Sequence, residues 1–358
     1  MQAETPRALG YRMPAEWEPH EATWLAWPHN PEDWPGKFPS IPWLYAEIVR
    51  LLAERERVHL VVEDAKTQSR VSGMLKRAHA NLGNVSFHQW PTDRGWTRDS
   101  GPIFVRNAAG QVAVTNWQFN AWAKYDDWRL DDQLPARVGE LLGLPEWQPF
   151  LQNHDGTKHR VVLEGGSIEV NGAGAMLTTE ECLLSEVQQR NPGLSRQQLE
   201  QAFSDYLGID QVIWLGRGIA GDDTHGHVDD IARFAAPDVI IAAVEPDARD
   251  ANHVPLAENL QRLKAARTPE GKQFTVIELP MPRPIVFRKQ RVPASYANFY
   301  LANGVVLMPT FHDPNDRIAL NILAEAFPDR EVIGVHSVDL IWGLGALHCM
   351  TQQQPAAK

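Results

Sequence analysis

The strongest constraint on the fold is an alternation of two periodicities along all 358 residues. Val58 to Val62, Val85 to Trp90, Val161 to Leu163, Val239 to Val244, Val305 to Met308 and Glu331 to Val335 read as short buried strands. Amphipathic helical segments lie between them. Ser195 reads as an N-cap, and Gln198 three residues later completes a capping box. The apolar face then runs Leu199, Ala202, Phe203, Tyr206, and Gly208 supplies the stop. Asp313-Pro314 opens another helix, with proline at the first helical position and Ile318, Ile322, Leu323 and Phe327 as the inward face. This is the pattern of an α/β protein. No Ser/Gly-rich or low-complexity linker interrupts it, so a single domain over residues 1–358 is expected.

Composition removes several function classes. The formal charge is −11 and the longest basic patch is Arg288-Lys289-Gln290-Arg291, so nucleic acid and anionic membranes are poor partners. No apolar run approaches the length of a membrane span, and Met1 to Gly10 lacks the pattern of a signal peptide. Two distant cysteines, Cys182 and Cys349, argue for a reducing compartment, hence a soluble cytoplasmic protein. A doubly wound nucleotide-binding sheet would need a phosphate-binding glycine loop. Neither G-x-G-x-x-G nor a Walker A sequence is present. Most of the thirteen tryptophans are expected in the core, with one or two free to stack on a planar cation.

Four clusters hold residues fit for chemistry. They are Trp96 to Pro102 with Asp99, Glu164-Gly165-Gly166-Ser167, Asp222 to Asp230, and Gly343 to Pro355 with Cys349. Each has a plain structural explanation. Asp99 can cap a turn, Glu164 can pair with an arginine, and Cys182 reads as a buried core residue. Cys349 differs, since it follows a glycine-rich stretch and a histidine and precedes a polar run, as on an exposed loop. His225-x-His227-x-Asp229 offers a metal-dependent hydrolase as an alternative, because alternate residues of an extended segment converge on one side. Asp230 stands where such a motif would continue with histidine, and the other histidines complete no second shell.

Taken together, the clusters suit guanidinium chemistry better. A guanidinium is planar and cationic and asks for carboxylates that accept bidentately, which Asp99, Glu164 and Asp229 can supply. Its resonance-stabilised carbon needs a thiolate nucleophile, and an imidazole to protonate departing ammonia and then activate water.

These residues, with Met13 to His20, Trp24 to Pro28, Gly226-His227-Val228-Asp229 and His348 to Gln353, resemble the agmatine deiminase family of the guanidine-modifying, or pentein, superfamily. The resemblance runs from about Tyr11 to Pro355. It implies a five-bladed α/β propeller of pseudo-symmetric ββαβ-like units. It also implies hydrolysis of agmatine to N-carbamoylputrescine and ammonia through a covalent amidino-cysteine, without metal or cofactor. Arginine or peptidyl-arginine is the alternative substrate. Carried over by position, Cys349 is the nucleophile, His227 the acid/base, and Asp99 and Asp229 the guanidinium clamp. Glu164 orients the histidine or substrate, and Trp96 lines the cavity. Asp223 and His225 stand where the family usually has glutamate and asparagine, the glutamate being the residue expected near the distal amine. The implied partner is a small cationic guanidino compound, with homo-oligomerisation left open.

Overall fold

The computed structural model describes residues 4–152 and 158–357. Five small mixed sheets carry most of it. Four repeat one plan, an antiparallel pair, a helical crossover, and a third strand parallel to the second. In the first of these, Ile103–Asn107 and Val112–Thr115 pair antiparallel, and Glu146–Trp147 returns parallel after helix Leu134–Leu142. In the next, Glu169–Val170 and Ala175–Thr179 are followed by helix Arg196–Leu207 and strand Gln211–Leu215. Ala232–Ala236 and Val239–Val244 lead through helix His253–Ala265 to Thr275–Pro280. Tyr300–Ala302 and Val305–Thr310 lead through helix Asn315–Ala326 to Glu331–His336. Parallel return strands require such crossovers, which accounts for the alternation in the sequence.

The fifth sheet joins the two ends of the described chain. Gln352–Pro355 pairs antiparallel with His20–Ala26, which then lies parallel to Arg57–Val62, itself parallel to Val85–Gln89. The segment carrying Cys349 is thereby fixed beside the N-terminal strand.

Local signals behave largely as read. Ser195 and Gln198 form the reciprocal capping box, and the helix stops at Gly208 with φ +70°. Leu199, Ala202 and Phe203 are fully buried beneath it. One expectation fails and another holds in part. Val161 to Leu163 is no strand and makes a single bridge, Gln118 to Val162. The reason is Asn191, whose side-chain amide takes both the Val162 N–H at 2.9 Å and its carbonyl at 2.8 Å. The helix after Asp313-Pro314 begins at Asn315, where Asp313 Oδ1 accepts from the Asn315 amide at 2.9 Å. Its buried face is Ala319 and Leu323, while Ile318 is 49% exposed. Trp24, Trp34, Trp96, Trp117 and Trp122 are buried as expected, whereas Trp43 is exposed. Among the described residues, no helix is long and apolar enough to cross a membrane.

Candidate active site

The turn leading into the first strand of each sheet supplies one polar residue to a common region. Asp99 lies in the short helix Thr97–Ser100 ahead of Ile103–Asn107, and Glu164 opens the turn Gly165–Ser167 ahead of Glu169–Val170. Asp229 sits in Val228–Asp230 ahead of Ala232–Ala236. Asn298 precedes Tyr300–Ala302, and Cys349 precedes Gln352–Pro355.

Gly166 is where three of these turns meet. A Cβ there would lie 2.6 Å from His227 Nδ1, 2.7 Å from Asp99 Oδ1 and 3.1 Å from Asp229 Oδ2. Only glycine allows that approach. Its amide donates to Asp99 Oδ1 at 3.0 Å, and Trp122 Nε1 donates to Asp99 Oδ2 at 2.9 Å. The indole is aimed by a left-handed turn in which Ala121, Trp122 and Ala123 all have positive φ, at 49°, 58° and 53°. Such a conformation costs about 1–2 kcal/mol per residue, the kind of strain that collects at functional sites.

His227 is buried between two carboxylates, Nδ1 at 3.7 Å from Asp99 and Nε2 at 3.8 Å from Glu164. Neither distance is a hydrogen bond. Both ring nitrogens, Glu164 Oε2 and Asp229 Oδ1 are buried without a hydrogen-bond partner. Four orphaned polar atoms in one place call for a polar ligand. On the far side, Glu164 Oε1 accepts from Arg190 Nε at 2.9 Å, and Asp229 Oδ2 lies 2.7 Å from His348 Nδ1. His348 Nε2 lies 2.7 Å from Glu16 Oε2, which also meets Arg233 Nη2 at 2.9 Å.

Cys349 was expected on an exposed loop. It is instead only 5% exposed and lies on a cavity of about 270 Å³ that Asp99, Trp96 and Trp122 also line. The reason is Asn298, whose Nδ2 donates to Sγ at 3.1 Å while its Oδ1 takes the His348 amide at 3.0 Å. Sγ is 3.6 Å from Asp229 Oδ2. Asp223 lines the same cavity, but Lys124 pairs with it and Tyr125 Oη donates to it at 2.7 Å.

Burial pushes the Cys349 thiol well above its usual range, and the carboxylates of Asp229, Asp230 and Asp99 add to this. Burial likewise pushes Asp99 up to about 6, with His227 opposing and Asp229 and Glu164 reinforcing. Burial opposes ionisation of Glu164 too, but Arg190 and His227 outweigh it and hold the group down to about 2. For His227, burial favours the neutral ring, yet Asp99, Cys182 and Glu164 prevail and raise its pKa.

The metal-ligand run does not assemble. His225 Nε2 contacts Ser185 Oγ at 3.3 Å, and His225 joins neither of the two buried His/Cys/acid groups found among the described residues. One of those groups is Glu164, Cys182 and His227, whose donor atoms lie within 4.8 Å of one another. Cys182 is a core residue, as read, but its thiol also stands behind His227. Arg190, Asn298, His348 and Trp122 were not singled out by the sequence as site residues, and only His348 had a hint, its place beside Cys349.

Replacing Gly166 by alanine drives a methyl group into His227 and Asp99. Activity is expected to fall on the order of 100-fold or more with secondary structure retained, as checked by steady-state kinetics alongside circular dichroism.

The geometry has relatives. Residues 12–355 match the model of the Porphyromonas-type peptidyl-arginine deiminase family. An agmatine deiminase of Ectopseudomonas mendocina is 35% identical over 375 residues, covering 98% of this chain and 97% of that protein. Among solved structures, the agmatine deiminase of Enterococcus faecalis superposes with a TM-score of 0.89 at 32% identity, covering 100% of this chain and 99% of that one. A substrate-bound cysteine-to-serine variant of the C. jejuni agmatine deiminase gives a TM-score of 0.84 at 30% identity, covering 97% of each chain. With a match that spans nearly every residue from the first strand to the last, the chain belongs to the Porphyromonas-type peptidyl-arginine deiminase family.

Proposed function

We propose that this protein is an agmatine deiminase, a hydrolase acting on a carbon–nitrogen bond of a linear amidine. The observation that carries the reading is the set of orphaned buried atoms of His227, Glu164 and Asp229, with the Cys349 thiol 3.6 Å from the other oxygen of Asp229. The two carboxylates supply negative charge and acceptors where a planar cation would lie, and full-length similarity to agmatine deiminases supports the same substrate.

In this reading Asp99 and Asp229 clamp the guanidinium, and Trp96 and Trp122 line its approach. The resting enzyme holds a neutral Cys349 thiol and a protonated His227, following the directions of their shifts. The arriving cation offsets the carboxylates that oppose a thiolate, and the thiol proton passes to solvent. Sγ attacks the guanidinium carbon, the C–N bond breaks, and His227 gives its proton to the leaving ammonia. Neutral His227 then takes a proton from water as that water adds to the amidino-cysteine. The C–S bond breaks, the added hydroxyl gives its remaining proton to the departing sulfur, and N-carbamoylputrescine leaves with the thiol restored. Glu164, braced by Arg190, orients the ring throughout. No metal or cofactor takes part in the reaction so written.

We read the five sheets as blades of a five-bladed α/β propeller forming one catalytic domain. The support is the repeated strand plan and the matching placement of Asp99, Glu164, Asp229, Asn298 and Cys349.

A panel of agmatine, arginine and an arginyl peptide, assayed for ammonia and ureido product, tests the substrate. Agmatine should have the highest kcat/KM, and a preference for arginine would sink the assignment. Cys349→Ala should lose on the order of 10⁴-fold or more in turnover. Mass spectrometry of quenched wild-type reactions should place the amidino adduct on the peptide holding Cys349, not Cys182.

The acid limb of the rate profile should follow Asp99. Its pKa of about 6 means that the clamp loses its charge as pH falls below that value. kcat/KM should then drop about tenfold per pH unit below the limb. A limb near pH 4 would show that Asp99 ionises as an ordinary surface aspartate does.

A further inference from the structure

The cavity wall away from Cys349 poses a problem of charge. Asp223, at the position where an acid is expected to meet the substrate's amine, is already held by Lys124 and by Tyr125 Oη at 2.7 Å. Asp33 lines the same cavity and is in a different state. Its side chain is 2% exposed, and one oxygen pairs with Arg94 Nη1. The other, Oδ2, is buried and accepts no hydrogen bond of ordinary geometry, although the Trp96 side chain stands close enough to favour the charged carboxylate. Arg94 has no charge to spare, since its Nη2 spans both oxygens of Asp127 at 2.9 and 3.0 Å. Its guanidinium also lies over the Tyr125 ring, 4.3 Å from the centroid. Glu32 stands beside Asp33 on the lining, so Glu32, Asp33 and Asp223 share the cavity with Arg94, which Asp127 also pairs, while Lys124 pairs with Asp223.

This wall is connected to the chemistry through tryptophan. Trp34, next to Asp33 in the chain, lies 5.3 Å from Trp96 between ring centroids. A Cβ on Gly345 would touch both the Trp96 ring, at 2.7 Å, and Cys349 Cβ, at 3.1 Å. A substrate whose guanidinium sits at Cys349 can therefore run along Trp96 toward Asp33.

We propose that Asp33 is the anionic seat for the substrate's terminal ammonium, with Asp223 kept from that role by Lys124 and Tyr125. The proposal rests on the agmatine reading of the site. An ammonium brings the donor that Oδ2 lacks and the positive charge that the wall is short of. A terminal methyl group brings neither.

The test compares agmatine with pentylguanidine, which carries a methyl group in place of the terminal ammonium. Wild type, Asp33→Asn and Asp223→Asn are each measured with both compounds. Asp33→Asn should lower kcat/KM for agmatine about tenfold or more, mainly through KM, and change pentylguanidine by less than about twofold. Asp223→Asn should keep the amine preference within about threefold of wild type. A preference that survives Asp33→Asn, or is lost in Asp223→Asn alone, overturns the proposal. Because Asp33 also braces Arg94, the paired change Asp33→Asn with Arg94→Gln removes both charges at once. It must abolish the preference as well if the single variant does not fold. Calorimetric binding of both compounds to Cys349→Ala separates this proposal from the function it rests on. Equal binding overturns the seat. Amine preference that depends on Asp33, in an enzyme that does not deiminate agmatine, keeps the seat and removes the agmatine assignment.

Discussion

The rest of the site depends on how Asp229 is kept ionised at a fully buried position. A lone carboxylate there would cost several kcal/mol, on the order of what a small domain has in total. Burial does push against its charge, but the hydrogen bond and charge of His348, with help from His227 and Arg233, hold its pKa below the usual value. His348 is in turn fixed by Glu16, and Glu16 by Arg233 and Arg98. Arg98 also donates from its backbone to the Cys349 carbonyl at 3.2 Å. A chain of alternating charges therefore runs from the N-terminal segment to the nucleophile. Removing one member leaves its partners buried and unpaired, so the arrangement is held as a whole.

The same logic places the turns. Each polar group on the floor comes from the segment just before the first strand of a sheet, where a backbone already committed to pairing emerges from a turn. Rigid strands set the position, and the turn exposes the side chain. Gly166 is the crossing point at which three such turns approach more closely than any side chain would allow.

Much of this was legible in the sequence because its signals are local. Strands such as Val239–Val244 and the capped helix Arg196–Leu207 announce themselves within ten or so residues. Cys349, His227, Asp99, Asp229 and Glu164 lie in compact motifs with a chemical logic of their own. Their supports could not be read in the same way. Glu16 and His348 are 332 positions apart, Trp122 reaches Asp99 only through a strained turn, and Asn298 precedes an ordinary apolar strand. Val161 to Leu163 misled for a related reason, since a single distant side chain, Asn191, consumed the hydrogen bonds that a neighbouring strand would have used.

The crowding of negative charge also acts in opposite directions on Cys349 and His227. A preformed thiolate at Cys349 would be buried and would face Asp229, Asp230 and Asp99, and all of these raise its cost. The His227 imidazole feels the opposite field, because Asp99 and Glu164 reward its proton. The surroundings therefore push the thiol toward its neutral form and the ring toward its charged form. A cationic substrate reverses the balance, since it brings the one charge that stabilises a thiolate next to carboxylates. Reactivity is then confined to the moment when a guanidinium is in place. In the reaction proposed above, the carboxylates that would select the substrate are the same ones that disfavour a thiolate in its absence.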